Sequence, residues 1–437
     1  MTNQTSGFNL KAVIQETGLS AETLHAWERR YGLPKPDRTP GGHRLYSLRD
    51  IQILNWLSAR QKEGMSISRA VGLWRSLESD GQDPLLTYSP HQQPVGPGGV
   101  RLDELCQAWV DACLDFDEQV AEQVLAQAFA LYAPEVVCSD LLQKGLSIIG
   151  THWYRGETSV QQEHFASALA MRRLHTLSAA APVPSRPGRI LAACPAGEEH
   201  EFGLLLLTVL LQRRGWGVVY LGANVPIMRL ESALHAAAPS LVLSLAQTLP
   251  AAASLRRMGK FLIDQGVLLA YGGGIFIAQP SIQNSFPGYY LGGEIIEATQ
   301  MVERFWNLKP PIPQVLPVPP DYQQALQHYI EFHPQIEIFV ANAMRGEAIL
   351  PAHLEIALPA LQQHLAAALA LGDIRLLENS LKWLAGLLEN HGLPEGLLIR
   401  FLEVYQRALE TQIPAADQAV FSSLTGLFNE QLKDLSQ

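Results

Sequence analysis

The sequence predicts a multidomain protein with an α-helical head, a four-helix segment, an α/β segment with a parallel sheet, and an all-α C-terminal bundle. Three observations predict this class. Five short apolar runs alternate with helical stretches between residues 188 and 308, apolar residues recur at helical spacing elsewhere, and proline- and glycine-rich breaks separate the segments. The chain has 437 residues, 47% of them hydrophobic, so it can form more than one core.

The breaks set the predicted domain boundaries. Residues 77–100 are rich in Pro, Gly and Gln and show no apolar period, which is typical of a linker. A second break is PVPSRPG, and in the third, residues 309–320, six of the twelve residues are proline. The predicted domains are 1–76, 101–182, 188–308 and 321–437, with linkers at 77–100 and 309–320.

The charge is unevenly distributed along the chain. The formal net charge is −10, but residues 8–76 contain 11 basic and 6 acidic residues, so the head carries about +5 and the remainder about −15. A basic head on an acidic protein indicates that the head binds a polyanion. A solvated charged face on an ordinary helical domain is the alternative.

The cysteines and the apolar stretches indicate in which compartment the protein is found. The four cysteines do not suggest a disulfide framework, and no CxxC pair suggests zinc. No apolar stretch approaches the ~18 residues of a membrane span, and MTNQTSGFNLK lacks the features of a secretory signal. We expect a cytoplasmic protein with no membrane partner.

The head shows the elements of a helix-turn-helix. A first helix contains Ala12, Val13 and Ile14, Gly18 supplies the turn, and Ser20 is an N-cap for a helix over 21–30. That helix packs through Leu24 and Trp27, so Thr23, His25 and Arg30 point elsewhere.

A wing follows the second helix. In TPGGHRLYS, Gly41 and Gly42 form a hairpin tip, and His43, Arg44 and Tyr46 lie on the returning strand. Ser47 and Asp50 then match a capping box at the start of the next helix. A helix N-terminus beside a basic wing suits a grip on DNA phosphates.

The head resembles the winged helix-turn-helix of the MerR regulator family over about 70 residues. The runs WERRYG and GGHRLY carry this resemblance. It implies that double-stranded operator DNA is bound by Thr23, His25, Arg29, Arg30, Arg44 and Tyr46, the last two on phosphate. His25 replaces an arginine usual in the family. No extended heptad follows Ser76, so the body should supply assembly into a homo-oligomer, a dimer or tetramer.

The segment 188–308 predicts a parallel sheet. The apolar runs are Ile190–Ala193, Gly217–Leu221, Leu241–Leu245, Val267–Ala270 and Tyr289–Leu291. Ligands of such sheets bind at the carboxyl ends of the strands. The loop after the first strand carries Glu198, His200 and Gly203. The GxGxxG motif of dinucleotide-binding folds is missing there, so we do not expect a dinucleotide ligand. A carboxylate beside a histidine can orient a metal-bound imidazole. A helix-capping loop histidine is the alternative for His200.

This segment resembles the Rossmann-like cobalamin-binding fold. The matching elements are Glu198-x-His200-x-x-Gly203, Ser244-x-Ala246 and Gly272-Gly273, and LGANVP with Asn224 suits the second loop of that family. The resemblance implies that His200 ligates cobalt from the lower side. It also implies that Ser244 bonds the benzimidazole tail inserted beside the glycines.

The helical segment 101–182 predicts a four-helix bundle, since apolar residues such as Leu105 and Trp109 follow helical spacing. With the pattern Trp153, Glu163, His164 it is similar to the cap of the CarH-like cobalamin photoreceptors. That resemblance implies contact with the upper ligand of the cofactor, expected to be adenosylcobalamin rather than methylcobalamin. Tyr154 stands where some members have a histidine that captures cobalt after illumination.

The tail, residues 321–437, predicts a helical bundle. It contains 6 basic and 14 acidic residues and five of the thirteen histidines: His328, His333, His353, His364 and His391. The arrangement resembles the photocobilins, which implies a linear tetrapyrrole such as biliverdin. Without a cysteine in the tail, such a bilin chromophore would be non-covalent. A structural or oligomerisation module is the alternative.

These features predict a regulator and not an enzyme. Its corrinoid state, changed by light, would control oligomerisation and DNA binding. Two alternatives stay open: a cobalamin-sensing regulator without a light response, and a corrinoid methyl carrier or methyltransferase subunit, which leaves the basic head without a role.

Overall fold

The computed structural model describes residues 8–17, 19–38, 42, 44–62, 65–79, 101–308, 315–345, 351–390, 395–417, 419–422, 424 and 426–428. Gly18, Gly41, His43, His391, residues 80–100 of the first predicted linker and residues 309–314 of the second lie outside the described residues. The chain forms two compact units, one of residues 1–94 and 304–309, the other of residues 95–303 and 310–437.

Within residues 8–79, the described part of the head, the first unit contains four helices and a two-stranded antiparallel sheet. These are α1 Leu10–Thr17, α2 Ala21–Tyr31, β1 Asp37–Arg38, β2 Arg44–Leu45, α3 Leu48–Lys62 and α4 Ile67–Ser79. The predicted caps are confirmed. The Ser20 hydroxyl accepts from the amide of Thr23 at 3.2 Å, and Ser47 and Asp50 bond each other reciprocally. Helix α4 continues three residues into the predicted linker.

The second unit begins with helices that share one apolar core. They are α5 Leu102–Leu114, α6 Glu118–Leu131, α7 Pro134–Val137, a π-helical turn Cys138–Gln143, α8 Lys144–Tyr154 and α9 Val160–Ala179. Trp109 lies fully buried against Gly145, where a Cβ atom would come within 2.7 Å of the indole. This close approach lets α8 pack directly on α5.

A five-stranded parallel sheet follows. Its elements are β3 Arg189–Pro195, α10 Phe202–Arg213, β4 Gly217–Val225, α11 Leu230–Ala237, β5 Leu241–Leu245, α12 Leu249–Asp264, β6 Leu268–Gly272, α13 Gly274–Ala278, β7 Tyr289–Tyr290 and α14 Ile295–Leu308. The predicted strands are confirmed. The order is β4-β3-β5-β6-β7, so β4 is added on one side of β3 and the later strands on the other, and the order of winding switches between β3 and β5. Ligands of such sheets bind at this switch point.

The chain after residue 315 is helical wherever it is described and regular. The helices are α15 Pro320–Ala343, α16 Pro351–Leu371, α17 Leu377–Asn390 and α18 Glu395–Gln412. Leu377, Leu381, Leu398 and Leu402 are buried, as their helical spacing predicts. Their core is continuous with one face of the sheet. None of the described helices combines the length and apolar character of a membrane span.

Candidate functional site

The exposed surface of the head carries some, but not all, of the predicted DNA-contacting side chains. Arg29 and Arg30 are exposed on the last turn of α2. The Thr23 hydroxyl lies 2.9 Å from that of Ser20, so it takes part in the helix cap. Nε of Arg44 donates to a carboxylate oxygen of Glu28 at 2.7 Å, which fixes the guanidinium of β2 against α2.

Two predicted DNA contacts need correction. The prediction that Tyr46 contacts phosphate is wrong for this conformation, because Tyr46 pairs with Phe8 through both backbone amides and its side chain is fully buried. A side chain with no exposed surface cannot reach a phosphate oxygen. His25 is half-buried, and its Nε2 is enclosed without a hydrogen-bond partner among the described residues. A DNA contact through this nitrogen is not available here.

Glu198 organises the carboxyl ends of β3 and β5. Its buried carboxylate accepts from Nδ1 of His200 at 2.7 Å, from the His200 amide at 2.9 Å and from the Gln247 amide at 2.6 Å. The hydrogen bond to Glu198 is the main reason why the pKa of His200 lies above its usual value. With Nδ1 as the donor, Nε2 carries the lone pair and has no hydrogen-bond partner among the described residues.

A cavity of about 210 Å³ opens at the same edge of the sheet. Its lining includes Gly203, Ser244, Gly272, Gly273 and Gly293. The Ser244 hydroxyl is buried without a hydrogen-bond partner among the described residues, which is costly unless a ligand supplies one. At Gly273 the backbone φ is +114° and a Cβ atom would come within 2.1 Å of the Ala246 carbonyl oxygen, so only glycine fits.

Asn224 joins the second loop to the first. Its side-chain oxygen accepts from the amide of Gly197 at 2.9 Å, and its own amide donates to the carbonyl of Glu198 at 3.0 Å. Asn224 adopts a φ of +54°, a left-handed conformation that asparagine tolerates better than most residues. The residue therefore holds the histidine loop in place from β4.

The predicted upper-side residues lie on α8 and α9. Glu163 accepts from Nδ1 of His164 at 2.7 Å and from the Ser167 hydroxyl at 2.6 Å, and His164 is exposed. The charge of the Glu163 carboxylate also contributes to the raised pKa of His200. Trp153 is half-buried near the end of α8.

Sequence reasoning missed two residues at the cavity. Gln247 follows β5, and its side-chain oxygen accepts from the Gly274 amide at 2.7 Å, which ties the ends of β5 and β6 together. Its position two residues past a predicted strand was a usable signal. Gln143 lines the cavity from the π-helical turn. No sequence pattern signals such a turn, although π-turns are frequent at functional sites.

The residues present fit a corrinoid with its benzimidazole tail inserted. An oriented imidazole stands beside a glycine-lined slot, and the unpartnered hydroxyl of Ser244 can donate to a ring nitrogen inside it. His200 would hold the cobalt, and the slot would hold the tail. This fit depends on side-chain chemistry and space alone.

The chain is similar to known proteins over its head and its helical segment. The MerR HTH family of regulatory proteins matches residues 8–77, and a B12 binding domain matches residues 105–178. The HTH-type transcriptional repressor CarA of Myxococcus xanthus is 35% identical over 236 residues, covering 53% of this chain and 74% of CarA. CarH of the same organism is 33% identical over 242 residues, covering 55% of this chain and 79% of CarH.

A third relative matches the head. The HTH-type transcriptional regulator MlrA of Escherichia coli strain K12 is 40% identical over 77 residues, which cover 15% of this chain and 30% of MlrA. All three relatives are named as transcriptional regulators or repressors, in agreement with the expectation of a regulator and not an enzyme.

Proposed function

Since this chain belongs to the family of HTH-type transcriptional repressors that includes CarA and CarH, we propose that light acting on its corrinoid controls oligomerisation and so DNA binding. The chain is a cobalamin-binding, MerR-type transcriptional regulator. The observation that carries the proposal is the Glu198–His200 pair on the loop after β3, together with the cavity at the same edge of the sheet that Ser244 lines with an unpartnered hydroxyl.

The proposed lower-side residues hold and orient the cofactor. His200 would hold the cobalt through Nε2, with Glu198 keeping the proton on Nδ1 and Asn224 holding the loop. Ser244 donates to the benzimidazole, and Gly203, Gly272 and Gly273 leave room for it. The role of Ser244 accounts for a buried hydroxyl that would otherwise be costly.

The proposed upper-side residues are Trp153, Glu163 and His164, on a helical cap formed by residues 101–182. Adenosylcobalamin, rather than methylcobalamin, supplies a Co–C bond that light cleaves. The chain contributes an indole and a hydrogen-bonded carboxylate–imidazole pair whose contacts differ before and after cleavage. A ligand shifts an assembly equilibrium only through such a difference in affinity.

DNA release follows from loss of assembly in this proposal. We place operator contacts on Arg29, Arg30 and Arg44, with Thr23 near the helix N-terminus. Several weakly binding heads on one dimer or tetramer bind together through effective concentration, so dissociation of the assembly is enough to release DNA. We place the protein in the cytoplasm, where its operator is.

For the helical bundle of residues 321–437 we propose a non-covalent bilin such as biliverdin as the second ligand. Its core contains a Tyr329–Tyr405 hydroxyl pair at 2.6 Å and a buried Asp417 that accepts from His328 and Gln324. Such groups can bind a tetrapyrrole or simply stabilise the bundle.

The test is the visible spectrum of the purified full chain with adenosylcobalamin, recorded in the dark and after illumination, and separately with biliverdin. We expect a spectral change on illumination together with a change in sedimentation. A cobalamin spectrum and an oligomer that are both insensitive to light would leave a light-insensitive cobalamin sensor. A biliverdin spectrum identical to that of the free pigment would exclude the second chromophore.

A further inference from the structure

Helix α17 of the tail packs on the end of α8, next to the proposed upper-ligand tryptophan. The ring of Trp383 stacks on Tyr154, with centroids 5.9 Å apart and planes inclined by 28°. The same indole lies 6.3 Å from that of Trp153. At the end of α17, Nδ2 of Asn390 donates to the Tyr154 carbonyl at 3.0 Å.

Two glycines make this contact possible. A Cβ atom on Gly386 of α17 would lie 2.1 Å from the Tyr154 hydroxyl oxygen, so the tyrosine occupies the space that a side chain would fill. On the other side, Gly156 has a φ of +71°, and a Cβ atom there would lie 2.6 Å from the Asn390 carbonyl oxygen. Both backbones therefore approach as closely as glycine allows.

We infer that α17 is a positioning element for the upper side of the corrinoid site, with Trp383 and Gly386 fixing Tyr154 and thereby Trp153. This inference rests on the proposed function, because it assigns the tail a role toward the same ligand. Trp153 and Tyr154 occupy the last turn of α8, and Trp383 contacts both rings, so neither indole nor phenol can reorient without disturbing α17.

The consequence is thermodynamic coupling. Docking of α17 that favours one orientation of Trp153 also raises the affinity for the upper ligand that suits this orientation. Binding of that ligand then favours docking of α17 by the same factor. The tail then responds to the state of the cofactor without contacting it. A bulky adenosyl group would gain most from a fixed indole.

The experiment uses the full chain in four forms: wild type, Gly386→Ala, Tyr154→Phe/Gly386→Ala, and Gly396→Ala as the control. Alanine raises helix propensity at position 386 but pushes against the Tyr154 hydroxyl. Removing that hydroxyl leaves Cζ, 3.2 Å from the added Cβ, as the nearest atom, which a small shift accommodates. Gly396 lies in α18 with no atom within 4 Å of an added Cβ.

Two quantities are measured: amide hydrogen exchange of residues 377–390 without cofactor, and the ratio of the Kd values for hydroxocobalamin and adenosylcobalamin. We expect Gly386→Ala to speed exchange and to lower the preference for adenosylcobalamin about threefold. The double variant should restore both quantities, and Gly396→Ala should change neither. Trp383→Ala, at a half-exposed position, should reproduce both effects if Gly386→Ala does not fold.

An unchanged Kd ratio in variants whose α17 exchanges faster would overturn the inference, as would unchanged exchange and an unchanged ratio together. Failure of the proposed function has a different signature, because the spectrum and sedimentation of the wild type would then not respond to light, while the exchange rates and the Kd ratio of the variants would still report the coupling.

Discussion

Glu198 shows how a single buried carboxylate can determine the chemistry of a loop. It accepts three hydrogen bonds, two from His200 and one from the amide of Gln247 on the next loop. These donors offset the cost of burying the charge, and they also set the tautomer of the imidazole. The spacing Glu198-x-His200 was readable from the sequence, whereas the third donor was not.

We predict that Glu198→Gln weakens cobalamin binding by about 10- to 100-fold, as the loss of a partner that orients a ligating histidine usually does. The amide of the glutamine can still hydrogen-bond, but it no longer favours the proton on Nδ1. Titration of cobalamin by absorbance gives the Kd. Glu199→Gln, the exposed neighbour, is the matched control, and an equal loss in both variants would refute a specific role for Glu198.

Ser244→Ala should have opposite effects on the free and the bound protein. The unpartnered hydroxyl destabilises the cofactor-free fold, so its removal should raise the free energy of unfolding by about 1 kcal/mol. Loss of the bond to the benzimidazole should reduce cobalamin affinity about fivefold.

Thr208→Val provides the control for Ser244→Ala, because Thr208 has another buried hydroxyl without a partner among the described residues and does not line the cavity. It should stabilise the protein without changing cobalamin affinity. Thermal or urea unfolding and absorbance titration measure the two effects. A Ser244→Ala variant that binds cobalamin as the wild type does would remove Ser244 from the site.

Arg44→Ala should weaken binding to every DNA sequence and reduce the slope of log K against log salt by about 1. In the structure, the ion pair with Glu28 holds the guanidinium of Arg44 in one position against α2. Arg375→Ala removes an equal charge from the tail and should leave the slope as it is. A slope unaltered by Arg44→Ala would count against the contact.

At the scale of elements, the strands could be predicted better than the contacts between elements. The runs that form β3 and β5 are buried on both faces, so continuous apolar stretches identified them. Helix α11 begins at Leu230, after a left-handed Arg229 that no local pattern signals. Tyr46 was misplaced because its burial depends on pairing with Phe8, far away in sequence.

Helix α16 provides a prediction about pH. Burial lowers the pKa of His364 below its usual value of 6.5. The hydrogen bond with the Ala360 carbonyl raises this pKa, but by less than burial lowers it. The unfolded chain therefore binds the proton more readily, and the free energy of unfolding should fall as the pH drops below about 6.5. Melting temperatures at pH 7.5 and 5.5 measure this. His364→Gln should show a smaller fall, and an equal fall in both proteins would contradict the assignment.

At the scale of the whole molecule, the uneven distribution of charge agrees with separate functions for the head and for the rest of the chain. The head is basic in a chain of net charge −10, and the MerR match lies within it. Both the uneven distribution of charge and the motif typical of corrinoid binding could be recognised in the sequence. It gave no sign that the tail packs on the end of α8, because the Tyr154–Trp383 contact joins residues more than two hundred positions apart.

The central claim is that the state of the corrinoid controls DNA binding through assembly. The most direct measurement is operator affinity of the full chain loaded with adenosylcobalamin, at fixed salt, in the dark and after illumination, with sedimentation of the same samples. We predict that illumination reduces both the affinity, by at least about tenfold, and the size of the oligomer. Equal affinity and equal sedimentation in dark and light, with cobalamin bound throughout, would contradict the account.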